Sequence, residues 1–416
     1  MFPVTYEFSE IAHQLNIVMA EPGVNRNAGT CLIDAITDLD ATKEYLARFR
    51  NKTKTYRSYE KEISRFLIWC TCCRQVALSG VLKNDCEAYK DFLASIPPSW
   101  IGHPVKRGSP KWRPFAGQLS PDSQKYAVQT LRHFFQWLVD ARYLHGNPWN
   151  MVLDPNTEQS DEPLMVEKAI PSELWEKLVK RDGILHKICH SDLKLAAGQI
   201  VRPRSTLAKP IQYRIARAAI LLMGFAGLRR EEACGASRTH LKPVIETHGE
   251  LWELRVLGKR SKWRTVYLPS MVIEALKSHW EDRGLDFFDV PNHPLLSPVV
   301  VPNTPAAVEK HLIENGSAHN LAQRPFTPDG LYQVVKAALH RMASDKNLDL
   351  SQAERELLRL AAPHALRHTF ATQAAALGMP IDVLQRLLGH VSQATTSLYV
   401  KAERSRSIQE VQKIYA

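Results

Sequence analysis

The chain has no run of about 18 apolar residues, so nothing in it reads as a membrane-spanning helix; its longest such stretch, Ala218 to Leu228, is too short. The opening Met1-Phe2-Pro3-Val4-Thr5-Tyr6-Glu7 lacks the basic and apolar segments of a secretory signal. Cysteine is sparse and unpaired: 7 residues, an odd number with no repeated spacing, which excludes a disulfide framework. Cys70, Cys72 and Cys73 cluster behind Trp69, but no Cys/His pair follows at zinc-finger spacing. They are expected to be reduced thiols at a helix end, with no metal, as in a reducing cytosol. Internal repeats and low-complexity tracts are absent too. A soluble, cytoplasmic protein is the expectation.

What the chain does have is positive charge. Its 416 residues suffice for two or three domains, and 44% hydrophobic residues can build sizeable cores. The net charge is +11 and the pI about 9.3, which suits a polyanionic partner, most commonly nucleic acid. The charge is uneven. Residues 1–50 carry 4 Lys/Arg against 7 Asp/Glu, whereas residues 51–150 carry 15 against 7.

Periodicity divides the chain. Residues 1–45 are acidic and weakly periodic, an N-terminal extension read as either an arm or an accessory helix. From Thr55 to Trp69, Tyr56, Tyr59, Ile63, Phe66 and Leu67 share one helical face, with Arg57, Lys61 and Arg65 on another. Asp85 to Leu93 is a second helix. A third starts with Ser120 as N-cap and Pro121 at its first position, and the segment stops at Asn147-Pro148. These helices define an all-helical basic domain over 46–150. Between the second and third helices, Lys106, Arg107, Lys111 and Arg113 surround Trp112 in a Gly/Pro loop suited to lying along phosphates. With Arg57 and Lys61 they form the expected DNA-contacting set. Residues 151–170 read as an acidic, Pro-punctuated linker.

A second domain is expected over 171–416. Ser172 opens a helix, and Tyr213 to Ala226 reads as a buried one. Trp252, Leu254 and Val256, then Val266 and Leu268, alternate around the basic turn Gly258-Lys259-Arg260-Ser261-Lys262 and predict a β-hairpin. Residues 283–325, rich in Pro, Asn and His, read as an insertion. Helices then resume over Leu331–Met342, Ser351–Leu360, Leu366–Leu377 and Ile381–Leu388.

The polar residues of this domain suggest a chemistry. Cutting a phosphodiester without metal needs a nucleophile, positive clamps for the non-bridging oxygens and an acid for the leaving oxygen. Guanidinium groups offer paired donors to phosphate that lysine cannot match. The chain holds, in order, Gly227-Leu228-Arg229 with Glu232 three residues on, Gly258-Lys259 in the hairpin turn, His364-Ala365-Leu366-Arg367-His368, Leu388-Gly389-His390, and Tyr399 nine residues after that histidine.

In composition and order these motifs resemble the tyrosine recombinase (phage integrase) family, well over 170–400 and loosely over 55–150. The resemblance implies a mainly α, integrase-like fold: a helical SAM-like core-binding domain, and a mostly helical catalytic domain with a small β-sheet. It implies cleavage and rejoining of DNA with neither metal nor ATP, through a 3′-phosphotyrosyl link formed by Tyr399. Arg229 and Arg367 would hold the non-bridging oxygens, Lys259 would protonate the 5′ leaving oxygen, and His364 would act as base or assist the phosphate. His390 would hydrogen-bond the phosphate, or merely cap the helix ending at Gly389. Glu232 would orient its neighbours, or make a plain salt bridge. Arg260 replaces the glycine usual after the hairpin lysine, and with Lys262 and Arg264 close by, the identity of the acid stays open between Lys259 and Lys262.

The implied partner is double-stranded DNA bearing specific recombination sites, bound by a homotetramer with or without accessory proteins and no membrane. The implied role is integration, excision or transposition of a mobile element. Ile408, Val411 and Ile414 in the tail would dock on a neighbouring protomer or on their own domain. A type IB topoisomerase-like enzyme and a catalytically silent DNA-binding accessory protein are the alternatives.

Overall fold

The computed structural model describes residues 8–103, 105, 109–155, 169–189, 206, 208–247, 250–258, 261–289, 292–300, 324–390 and 396. The chain divides into two compact units, residues 1–160 and 161–416.

The first unit is helical: α1 (Phe8–Val18), α2 (Asp38–Ala47), α3 (Thr53–Trp69), α4 (Lys83–Ala94) and α5 (Pro121–Asp140). The apolar stripe of α3 is buried as its spacing requires, with Ile63, Phe66 and Leu67 in the core. α3 runs into a π-helical turn, Cys70–Arg74, closed by Gln75 in the left-handed region (φ 53°). The thiols there are free, and burial pushes Cys72 up to about 11, so it is no ready thiolate. Ser120 caps α5 by accepting from the Ser123 N–H (3.3 Å), and Pro121 follows at the first helical position. Aromatic edges fill the centre: the Phe66 ring lies 4.9 Å from that of Tyr89 and 5.6 Å from that of Trp149.

The acidic N-terminal stretch is built into this unit. Ile11, Met19, Ala41 and Tyr45 join the same core. The buried carboxylate of Asp38 accepts from the Ser79 N–H (2.8 Å) and the Tyr143 hydroxyl (2.7 Å). Burial is the largest influence on that carboxyl and raises it to about 6 despite these bonds.

The second unit comprises α6 (Ser172–Val179), α7 (Ile184–Cys189), α8 (Ala208–Ala226), α9 (Arg230–Gly235), β1 (Leu241–Pro243), β2 (Leu251–Leu257), β3 (Trp263–Pro269), α10 (Ser270–Asp282), α11 (Pro328–Ser344), α12 (Gln352–Leu360), α13 (Pro363–Ala376) and α14 (Ile381–Leu388). α8 is apolar nearly all round and forms the axis of the core, packed by α10, α11 and α13. One of its charges, Arg214, is buried and paired. Arg214 donates to both oxygens of Asp282 on α10 (2.8 Å each) inside the protein.

The hairpin is β2–β3, paired antiparallel with Leu254 opposite Val266 and Leu257 opposite Trp263. The short strand β1, with no pattern of its own, adds a third to the sheet in the order β1-β2-β3. The reading of 283–325 as an insertion needs correcting for its first part. Phe287, Leu295 and Leu296 are buried in the main core, and the Trp280 indole donates to the Leu295 carbonyl (3.1 Å). Proline, Asn and His around these few apolar residues hid a segment that crosses the core without regular structure. Residues 301–323, like the linker residues 156–168, lie outside the described residues. Among the described residues the fold is mainly helical with one small sheet, as expected.

Candidate active site

Three chain turns meet in the second unit, and each is shaped by a local sequence rule. α8 ends at Ala226, and Gly227 turns the chain with φ +58°. A Cβ on Gly227 would come within 2.6 Å of the Phe370 ring and 2.9 Å of Leu388, so only glycine lets this turn lie against α13 and α14. Leu228 then enters the core and Arg229 stands as the N-cap of α9. Glu232, at the third position of α9, accepts from the Arg229 backbone N–H (2.7 Å) and caps its own helix. It also accepts from Arg229 Nη1 at 3.0 Å.

The second turn opens α13. Proline at its first position sets the start, and His364 and Arg367, three residues apart, share a face. Arg367 is 2% exposed. Its Nη1 donates to the Gly227 carbonyl (2.5 Å) and its Nη2 to the Leu388 carbonyl (2.6 Å). His364 is more open, with its ring edge-on to His368 at 4.5 Å. Thr369, one turn on, accepts from the Ile170 N–H (2.8 Å) and so anchors the start of the unit to this helix.

The third turn closes α14. Gly389 takes the left-handed conformation (φ +63°), and its N–H and that of His390 both return to the Gln385 carbonyl (2.8 and 3.2 Å). Gly389 is therefore the cap, and the His390 imidazole is directed to Thr396, with Nδ1 and Oγ1 2.9 Å apart. Arg229 reaches this turn through the Leu388 and Gly389 carbonyls (3.4 and 3.5 Å). Arg229, Glu232, Arg367 and the backbone leading to His390 thus form one bonded constellation.

Its electrostatics favour an anion. Burial alone would raise the Glu232 carboxyl, but Arg264, the Arg229 N–H and Arg367 together hold it below the ordinary value, so it stays charged. Desolvation, then Arg367 and Arg229, push His390 down to about 4. His364 is lowered by the same causes in the same order. Both imidazoles are neutral at pH 7, set beside arginines that outnumber the buried carboxylate.

Arg264 is the residue the sequence reading did not recognise. It had appeared only as a basic neighbour of the hairpin turn, yet it donates to both oxygens of Glu232 (2.8 Å each). Strand alternation could have pointed inward for it, since it shares parity with the core residues Val266 and Leu268. Thr396 was missed as well, and a lone threonine six residues after His390 carries no signal.

The expected residues Lys259 and Tyr399 lie outside the described residues, as do Lys106 and Arg107 and the tail 397–416. In the first unit, Arg57 and Lys61 are exposed on α3, Lys61 beside Glu62 (2.8 Å). Lys111 is exposed, while Arg113 turns back to the Pro110 and Trp112 carbonyls (3.0 and 2.8 Å). Arg65, one turn beyond Lys61, donates to the Pro114 carbonyl (3.0 Å), so this loop adjoins the basic face of α3. Among the described residues no group of three or more His, Cys, Asp or Glu is placed to hold a metal ion, and no helix is long and apolar enough to cross a membrane.

The phage integrase family model matches residues 198–406, a span that takes in every member of this constellation. The chain belongs to the phage integrase family, the tyrosine recombinases. By family it is a site-specific recombinase, an enzyme of DNA strand cleavage and rejoining. Among relatives of this tyrosine recombinase, a "Tyrosine recombinase" of Thermosipho africanus is 23% identical over 90% of the chain and 99% of its own length. A "Tyrosine recombinase XerC" of Myxococcus xanthus is 26% identical over 73% of the chain and 79% of its own. The fold is that of the XerH recombinase bound to palindromic difH substrate in a post-cleavage complex, with a TM-score of 0.56 at 16% identity over 98% of this chain and 95% of that one. A Tn1549 transposon integrase in complex with a circular-intermediate DNA gives 0.52 at 15% identity over 90% and 98%.

Proposed function

We propose that this recombinase cuts DNA with Tyr399 and conserves the bond energy in a 3′-phosphotyrosyl link. The tyrosine oxygen attacks the scissile phosphorus, the bond from phosphorus to the 5′ oxygen breaks, and the phenolic proton passes to His364. The departing 5′ oxygen takes a proton from Lys259. Rejoining runs the same steps backwards with a 5′ hydroxyl as nucleophile, so atoms and charge balance without a nucleotide or a metal. Arg229 and Arg367 hold the non-bridging oxygens, where charge builds in the transition state. We assign the Thr396 hydroxyl as donor to Nδ1, which puts the proton of the neutral His390 on Nε2, ready to donate to the same phosphate.

The observation that carries this reading is the convergence of Arg229 and Arg367 on one turn, beside two imidazoles kept neutral at pH 7. A neutral imidazole can take the tyrosine proton, and a protonated one could not. Glu232 supports the arginines and does not act on DNA. Basic residues of the first unit, Arg57, Lys61, Lys106, Arg107, Lys111 and Arg113, grip the backbone of a double-stranded recombination site. The relatives are recombinases and a transposon integrase, which supports a role in integrating, excising or transposing a mobile element. The assembly on DNA is a homotetramer pairing two duplexes.

The test uses duplexes selected by the protein from a fragment library of its host's DNA, remade with a nick beside the cleavage point so that the cut cannot be resealed. Wild type yields a covalent DNA–protein band on a denaturing gel, and Tyr399→Phe yields none. Binding without any band from wild type overturns the proposal. Exchange of strands between two intact duplexes is expected for a recombinase, and relaxation without exchange would mark a topoisomerase.

A further inference from the structure

We infer that Arg264 is a positioning residue for the cleavage step, holding the Glu232 carboxylate so that it does not compete with phosphate for Arg367 and takes a single side-chain nitrogen of Arg229. The inference rests on the proposed cleavage reaction. Arg264 sits on β3 between the exposed Trp263 and the half-buried Thr265, with its side chain turned into the unit. Its Nη1 and Nη2 take the two oxygens of Glu232 at 2.8 Å each, and its Nε donates to the Leu387 carbonyl at 2.7 Å. One planar group thereby ties the hairpin, α9 and the end of α14 together.

The surroundings are fitted to it. A Cβ on Gly258 would stand 3.2 Å from Arg264 Nη1, and a Cβ on Gly389 would stand 3.2 Å from Arg264 Cδ and 3.3 Å from Nη1. These glycines belong to the two motifs that present Lys259 and His390. Both lack a side chain where the Arg264 side chain passes, so the two turns close on it from either side.

The competition it prevents follows from the distances. Glu232 is 5% exposed, and its carboxylate lies 3.0 Å from Arg229 Nη1 and 3.9 Å from Arg367 Nη1. A buried carboxylate demands a charged, hydrogen-bonded partner. With Arg264 supplying a two-pronged one, Arg367 donates to the Gly227 and Leu388 carbonyls. Without it, Glu232 draws Arg367 off those carbonyls and tightens the hold it already has on Arg229, turning both guanidiniums inward. Guanidinium groups do not surrender a proton in proteins, so Arg264 is not the acid for the 5′ oxygen.

The experiment measures single-turnover cleavage of the nicked duplex by the full chain, with DNA affinity by gel shift and thermal midpoint alongside. Arg264→Gln is expected to slow cleavage on the order of a hundredfold while DNA affinity stays near wild type. Arg264→Lys, which keeps the charge but loses the two-pronged contact, falls between. The decisive variant is the double Glu232→Gln/Arg264→Gln, expected to regain about tenfold over Arg264→Gln because the competing charge is gone. A wild-type rate for Arg264→Gln overturns the inference, as does a double variant slower than Arg264→Gln alone. Loss of folded protein matching the loss of rate, unrelieved by Glu232→Gln, overturns it too. Failure of wild type itself to form an adduct counts against the proposed reaction instead.

Discussion

Arg229 and Arg367, 138 positions apart in the chain, donate to the same acceptor, the carbonyl oxygen of Leu388, at 3.4 and 2.6 Å. A single oxygen thus sets the spacing of the two guanidiniums proposed to hold the phosphate. Lysine in either place would keep the charge and lose the fork. Arg229→Lys and Arg367→Lys should each slow single-turnover cleavage on the order of a hundred- to a thousandfold. DNA affinity measured by gel shift should change far less. An affinity loss as large as the rate loss would show that these arginines serve binding rather than the reaction.

Gly227→Ala should damage both fold and function. The left-handed backbone costs about 1–2 kcal/mol for a residue with a side chain, and the new methyl would meet Phe370 at 2.6 Å. Calorimetry should show a midpoint lowered by several degrees, on a scale of about 2–4 °C per kcal/mol for a unit of this size. Gly235→Ala, at the end of α9 with nothing within 4 Å of the added Cβ, is the matched control and should be neutral or slightly stabilising.

Acid should weaken the catalytic unit through its histidines. The folded pKa of His390 is about 4 against an ordinary 6.5, so the unfolded chain binds the proton first as pH falls. Stability is therefore lost on acidification through the interval between those values. His279, wholly buried and lowered well below its usual range by desolvation, acts in the same direction. The thermal midpoint should fall from pH 7 to pH 5, and the fall should be shallower in His390→Gln. An unchanged slope would mean His390 is not held neutral. Asp38 in the first unit has the opposite sign. Raised to about 6, it favours the fold when protonated, and that contribution fades as pH rises through 6.

The choice between Lys259 and Lys262 as acid is open to a chemical test. Lys259→Ala should cut poorly on an ordinary nicked duplex but recover on one whose 5′ bridging oxygen is replaced by sulfur, since a thiolate leaves without a proton. Lys262→Ala should behave nearly as wild type on both. Rescue of the Lys262 variant instead would move the role to that residue.

Much of this was legible in the sequence because the decisive signals were local. The helix cap at Ser120, the hairpin alternation and the spacing of His364 and Arg367 each depend on a few neighbouring residues. What escaped depends on tertiary partners. β1 is a strand because β2 offers it an edge. Phe287 and Leu295 looked like parts of a polar insertion until Arg238 and Trp280 were seen to bind their carbonyls. Arg264 read as one more basic residue of a basic turn, because its importance lies in Glu232 and Leu387, 32 and 123 positions away.

The most direct test of the central claim is mass spectrometry of the trapped adduct. After digestion with trypsin and nuclease, the peptide Leu387–Lys401 should carry a nucleotide phosphate on Tyr399, joined to the 3′ side of the cut strand. A modified residue other than Tyr399, or linkage through a 5′ phosphate, would contradict it.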